Sequence, residues 1–174
     1  GFTETVFFTG ATFQDRVPVD SLGDNGLNYS IPAAWQPGTV NSPTLPAGYF
    51  LPCWVDIGSL CTNVGTGAFK RRYGLQGNVS VGGEILEVKE SAFENCFSIS
   101  SIDFGFKLAQ IGDNAFYFCT GATGKPLDFK ASLRYIGNSA FQSCGATSVT
   151  FQEGVTGIGE SSFQQSKVSN FLEL

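Results

Sequence analysis

The chain has 174 residues, a formal net charge of −5, no His and no Met. Without His there is no Ser-His-Asp triad, no Cys-His pair and no imidazole metal ligand. The acidic balance argues against a broad nucleic-acid footprint, and no apolar run approaches the roughly 20 residues that span a bilayer. The missing Met leads us to expect a processed chain or a segment of a longer one.

The stretch Phe2–Phe8 is rich in strand formers and partly alternates. It either joins a sheet within the chain or adds to a neighbouring subunit. Six of the seven prolines lie before residue 53, and residues 1–60 carry five acidic residues against Arg16 alone. This composition marks residues 1–58 as a Pro-rich N-terminal cap or appendage. Tyr29, Trp35, Tyr49 and Trp54 cluster there. They are expected to cover the near end of residues 59–174, with Trp35 the candidate for stacking on a sugar or anchoring a protein. Cys53 and Cys61, eight residues apart, form a candidate disulfide that would staple this cap to the rest and fit an oxidising compartment.

Residues 59–174 are a repeat. Ser91-Ala92-Phe93 returns as Asn114-Ala115-Phe116, Ser139-Ala140-Phe141 and Ser161-Ser162-Phe163, with Phe spacings of 23, 25 and 22. Five residues before each Phe stands a β-branched residue (Val88, Ile111, Ile136, Ile158), and three after it a small one (Cys96, Cys119, Cys144, Ser166). A second Phe column comes in Phe104, Phe129 and Phe151, with Phe171 a looser match. Val64–Phe69 is a degenerate earlier copy, giving about five coils with the last incomplete. One coil this short cannot bury its own apolar side, so stacked coils must bury it together. The residues from Ser100 to Phe104, Pro126 to Phe129, Ser148 to Phe151 and Ser169 to Leu172 are expected as parallel strands, and each Ala-Phe segment as one helical turn with Asp, Asn or Ser as a cap. The Gly after each Ile is expected to supply a turn conformation.

The cysteine column admits a redox or metal reading and a packing reading. In-register side chains point in parallel, which suits a disulfide poorly. Ser166 in the fourth slot asks for small size, and no CxxC exists. We therefore read Cys96, Cys119 and Cys144 as buried small thiols. Lys70, Arg71, Arg72 and Tyr73 form the chain's one basic run, a candidate contact for an anionic ligand or partner against the alternative of a solvated loop. Glu87, Glu90 and Glu94 would share a face if helical, but nothing sets two opposed carboxylates, so they read as surface. Sequons begin at Asn28 and Asn78.

The pattern Ile-Gly-x-x-Ala-Phe-x-x-Cys, succeeded by a strand with an apolar end, resembles the BspA-like (treponemal-type) leucine-rich repeat over about residues 60–174. Here Phe replaces Leu at several strand positions, and Gly121–Gly124 is a small insertion. The resemblance implies a β-rich, right-handed solenoid, a leucine-rich repeat superhelix with short helical turns, behind the N-terminal cap. It also implies a non-catalytic, adhesin-like module, secreted or on a cell surface, whose partner is a host or neighbouring-cell protein or a glycan. No catalytic residue, metal or cofactor is expected. The alternative is a self-assembling subunit of an extracellular filament or surface layer. It rests on the strand-like start and on a chain that stops mid-strand at Leu174, where further coils or another chain would have to cover the end.

Overall fold

The computed structural model describes residues 62–71, 73, 75–123 and 125–173, and in addition the backbone of 4–8 and 53–57. These residues form a parallel β-solenoid with two sheets running along its length. The first sheet consists of five two-residue strands: β3 (Asn63–Val64), β5 (Glu87–Val88), β7 (Gln110–Ile111), β9 (Tyr135–Ile136) and β11 (Gly157–Ile158). They pair in that order and in register, so Val64, Val88, Ile111, Ile136 and Ile158 make one column. The second sheet contains β4 (Gly77–Val81), β6 (Ile99–Phe104), β8 (Leu127–Asp128), β10 (Ser148–Phe151) and β12 (Asn170–Glu173). β4 pairs with β6, and β8 pairs with β10, which pairs with β12. Between β6 and β8 the strands stay adjacent without a paired register among the described residues. That break falls after Gly121-Ala122-Thr123, where the coil lengthens.

Further toward the N terminus, β1 (Glu4–Phe8) pairs in parallel with β2 (Cys53–Ile57), and β2 lies beside β4. The opening stretch thus joins a sheet within the chain. The remaining residues of the Pro-rich cap, including Trp35, Tyr29, Tyr49 and the first sequon at Asn28, lie outside the described residues, as does Cys61. So does the Cys53 side chain, and with it the candidate disulfide.

The core is a set of stacked columns. Phe69, Phe93, Phe116, Phe141 and Phe163 stack ring on ring, with centroids 4.8, 5.1, 5.2 and 5.4 Å apart and planes within 2° to 7°. This spacing is close to the inter-strand distance of a sheet, because one ring rides on each coil. Phe104 and Phe129 are 4.8 Å apart and Phe129 and Phe151 5.3 Å. Phe104 meets Phe116 edge to face at 5.8 Å, the geometry that the ring quadrupole favours. Val88, Phe93, Cys96, Ile111, Phe116, Cys119, Phe129, Ile136, Phe141 and Cys144 are buried, as is Phe104. Phe171 does not continue the second column: it pairs with Val149, and Glu173 takes the slot opposite Phe151.

The segments expected as helical turns are not helices. From each Phe position, alternate N–H groups go two ways. Ala92, Glu94 and Cys96 donate three residues back within their own turn, whereas Ser91, Phe93 and Asn95 donate to Asp113, Ala115 and Tyr117 of the next coil. The same three inter-coil bonds recur at all four interfaces between these turns, at 2.7–2.9 Å, against 3.0–3.4 Å for the bonds within a turn. An α-helix would consume those donors internally; here they join coil to coil. The alternation is set by left-handed residues two before and two after the Phe, such as Ser91 (φ 56°) and Asn95 (φ 61°). Gly67 and Asn114 suit the position two before the Phe because Gly and Asn enter the left-handed region most readily, whereas Ser91, Ser139 and Ser161 hold it as small residues.

Two further expectations change. The Gly after each Ile is not in the left-handed region. It is there because a Cβ at Gly137 would lie 2.5 Å from the Asp113 nitrogen, and one at Gly112 would lie 2.6 Å from the Glu90 nitrogen. Close approach of successive coils demands the missing side chain. The polar residue one step before the left-handed position does cap, but it caps its neighbour. Asp113 Oδ1 accepts the N–H of Asn138, and Asn138 Oδ1 that of Glu160, each at 2.8 Å.

Candidate binding surfaces

Two outer surfaces carry the side chains that could meet a partner. The first is the outward face of the second sheet. Because strands alternate, Val79, Ile102, Leu127 and Val149 point into the core while Asn78, Ser80, Asp103, Asp128 and Thr150 occupy the alternate positions. Their order is imposed across coils. Asn78 Nδ2 donates to Asp103 Oδ2 at 2.9 Å, and Ser101 Oγ donates to Asn78 Oδ1 at 2.7 Å. Lys125 pairs with Asp103 at 3.4 Å, and Lys130 pairs with Asp128. The Asn78 amide of the second sequon is therefore engaged on both its atoms. Lys130 also stands over the Phe106 ring, 5.4 Å from its centroid, and Phe106 is the most exposed large apolar side chain described, at 80%.

The second surface is built by the turns after each stacked Phe. Here the basic run is found. Lys70 is paired with Glu94 at 2.8 Å. Arg71 is exposed, in the left-handed region at φ 59°, with its N–H donated to the Glu94 carbonyl. Arg72 lies outside the described residues. The Tyr73 ring stacks on Phe97 at 5.1 Å and 6°, and its carbonyl accepts from Ser98 Oγ at 2.7 Å. One coil on, Tyr117 and Phe118 are 4.8 Å apart. The run of four therefore divides: Lys70 is neutralised locally, Arg71 faces solvent, and Tyr73 belongs to an aromatic shelf. Glu94 belongs to this surface as the partner of Lys70. With no helix, Glu87, Glu90 and Glu94 do not share a helical face: Glu87 is on β5 and the other two are in the turn.

Phe97, Tyr117 and Phe118 escaped the sequence reading. Their signal was available, since they are aromatics outside both Phe columns. Asp103 and Asp128 were equally legible, each one residue before a column Phe and so on the opposite face of its strand.

Cys96, Cys119 and Cys144 are buried, and no disulfide joins them. Cys96 Sγ donates to the Phe69 carbonyl at 3.0 Å and Cys119 Sγ to that of Phe93 at 3.3 Å. Burial, and then the neighbouring Cys96 and Cys144, hold the Cys119 thiol well above its ordinary value. Burial pushes Cys144 up to about 11. A thiolate is the nucleophile and the metal ligand, so these positions favour the inert form. Among the described residues no cluster of three or more His, Cys, Asp or Glu could hold a metal, and no helix is long and apolar enough to cross a membrane.

Comparison with known proteins agrees with the geometry. The model of the BspA-type leucine-rich repeat region matches residues 54–170 in six copies. Among solved structures, the crystal structure of the leucine-rich repeat protein of Treponema pallidum superposes with a TM-score of 0.62 at 24% identity, over 70% of this chain and 58% of that one. The chain thus spans little more than half the length of that structure. No curated protein matches.

Proposed function

Given that the chain belongs to the BspA-type leucine-rich repeat family, we propose that this repeat interaction module acts without catalysis as an adhesin-like part of a secreted or cell-surface protein. The observation that carries the reading is the outward row Asn78, Ser80, Asp103, Asp128 and Thr150. It crosses four coils, and side-chain bonds tie its first coils together: Asn78 to Asp103 and Ser101, and Asp103 to Lys125. A row that is fixed before contact loses little conformational freedom on binding. It also spreads affinity over several coils, so no one residue dominates. The buried, raised thiols are consistent with a non-catalytic role. The partner is a host or neighbouring-cell surface protein, with a surface glycan as the second class.

Two measurements test this. Antibody against the chain should stain intact source cells without permeabilisation; staining only after permeabilisation refutes the surface location. Labelled chain should bind target cells saturably. Paired replacement of Asp103 and Asp128 by Ala should weaken that binding more than either single change. Binding unaffected by the pair removes the sheet face from the reading.

A second reading, a self-assembling filament or layer subunit, draws on the last coil, where Ile158 and Phe171 are 50% and 59% exposed. Light scattering decides it: a monomer at every concentration eliminates self-assembly.

A further inference from the structure

The bonds that join one coil to the next have a fixed direction on each side of the solenoid. On the turn side the earlier coil donates: its N–H groups two before, at and two after the stacked Phe reach carbonyls of the following coil at 2.7–2.9 Å. On the first-sheet side the earlier coil accepts. The Ile136 carbonyl takes the N–H of Gly159 at 2.7 Å, and the Arg134 carbonyl takes that of Thr156 at 2.8 Å.

The last described coil keeps this arrangement with nothing opposite it. Ser161 and Gln165 hold the left-handed conformation at φ 56°, which on the earlier coils aims alternate donors at the next coil. Among the described residues no group accepts from the N–H of Ser161, Phe163 or Gln165, and none donates to the carbonyls of Thr156 or Ile158. Apolar surface accompanies these five groups. Ile158 and Phe171 are 50% and 59% exposed and, with Phe151 and Val155, line one open groove. Free backbone donors and acceptors beside apolar side chains make an edge that another chain can extend.

We infer that this end face docks a segment of another polypeptide, which adds as one more parallel coil. The coils already stacked give the segment its chemistry. It brings N–H groups to Thr156 and Ile158, then carbonyls two residues apart to Ser161, Phe163 and Gln165. It lays a β-branched side chain on Ile158 and a ring on Phe163, as Ile158 lies on Ile136 and Phe163 on Phe141. It has Gly after the β-branched residue, because a Cβ at the equivalent Gly159 would lie 2.5 Å from the Asn138 nitrogen. The occupant is thus a segment of the form β-branched-Gly-x-x-Ala-Phe, supplied by another protein.

A second copy of the chain fits less well. Joined head to tail, it would have to present its first coil, where Thr66 and Phe69 are already engaged and β2 lies beside β4. Joined through two such end faces by a two-fold axis, the two chains would wind in opposite senses around the contact, and the parallel ladder could not form. The inference goes beyond the sheet-face reading and does not rest on it, since the two use different surfaces.

The test uses a fluorescein-labelled peptide with the sequence of residues 132–151, one whole coil, carrying Cys144→Ser. It is titrated with the chain by fluorescence anisotropy and should bind saturably. The same peptide with Gly137→Val is more apolar but carries the obstructing side chain, and should bind roughly tenfold more weakly or worse. On the chain, Ile158→Glu should weaken the Gly137 peptide to a similar degree. Lys107→Glu, at an ion pair away from this end, should leave it unchanged. If Ile158→Glu does not fold, the two peptides carry the test on the unaltered chain. Absence of binding overturns the inference. So does equal binding of the Gly137→Val peptide, which marks unspecific apolar adhesion. Light scattering checks the other occupant: a dimer of the chain that Ile158→Glu dissociates gives the face to a second copy and overturns the inference.

Discussion

The interior coils and the last described coil use the same residues in the same slots with different results. Ile136 is fully buried and Ile158 is 50% exposed, although the two are paired in register. Phe141 is fully buried, while Phe163, stacked on it at 5.4 Å, is only partly so. The difference is a neighbour on the far side. In a solenoid, stability divides into what a coil does for itself and what each interface adds. A residue type therefore has no fixed worth here; its worth depends on how many coils it touches.

The largest test of this view removes a ring. Phe116→Ala takes away a fully buried side chain packed on Phe93, Phe141 and Phe104. It should cost about 3–5 kcal/mol, and Phe163→Ala should cost less than half of that. Denaturant midpoints at unchanged slope measure both. Equal losses would mean that the last coil is as well packed as the interior, and the contrast would collapse.

The next effect is read by pH. The Cys144 thiol is raised from 9.0 to about 11 in the folded chain. Between those values the unfolded chain gives up this proton and the folded chain keeps it, so stability falls as pH rises. The stabilisation is fully present below pH 9 and fades toward pH 11, a loss of roughly 2–3 kcal/mol at about 1.4 kcal/mol per unit. Cys144→Ala should make this part of the profile shallower, leaving the slope that the raised Cys119 thiol contributes, and Ser166, in the equivalent slot of the last coil, contributes none. An unchanged alkaline slope in Cys144→Ala would show that the thiol is not the source.

Much of this was legible in the sequence, because a solenoid writes its contacts as a period. The Phe spacings placed both ring columns, the β-branched column and the small thiol column, and with them the parallel strands of the second sheet from Ile99 onward; the five two-residue strands of the first sheet were not read from them. What the period could not give was the destination of backbone hydrogen bonds. Ser-Ala-Phe reads equally as a helix start and as a turn whose alternate N–H groups leave the coil. Only the left-handed conformations of Ser91 and Asn95, fixed by the next coil, decide between them. The aromatic shelf was missed for a related reason: Phe97 and Phe118 break the period, and attention to the period passes over residues that interrupt it.

The glycines sharpen the comparison by going against it. A Cβ at Gly137 would lie 2.5 Å from Asp113, and one at Gly159 would lie 2.5 Å from Asn138, in both cases against backbone of the preceding coil. The last coil has a preceding coil like any other. Gly137→Ala and Gly159→Ala should therefore cost about the same, roughly 1–3 kcal/mol each, where the two Phe substitutions differ. A much milder Gly159→Ala would show that the last coil relaxes as a whole instead of merely lacking a cover.

The smallest contrast lies in the caps, and it isolates the far-side neighbour most cleanly. Asp113 faces forward: its Oδ1 accepts the Asn138 N–H at 2.8 Å, and its Oδ2 accepts from the Asn138 side chain at 3.3 Å. Asp113→Ala leaves that N–H without its acceptor and should cost about 0.5–2 kcal/mol, as for a lost helix cap. Glu160 holds the equivalent slot in the last coil, where no further described coil supplies an N–H. Glu160→Ala should then move the melting midpoint scarcely at all. Neither substitution disturbs a ring column, so any difference between them reports the forward contact alone. A Glu160→Ala loss as large as that of Asp113→Ala would place the stabilisation in the residue's own turn and not in the coil ahead of it.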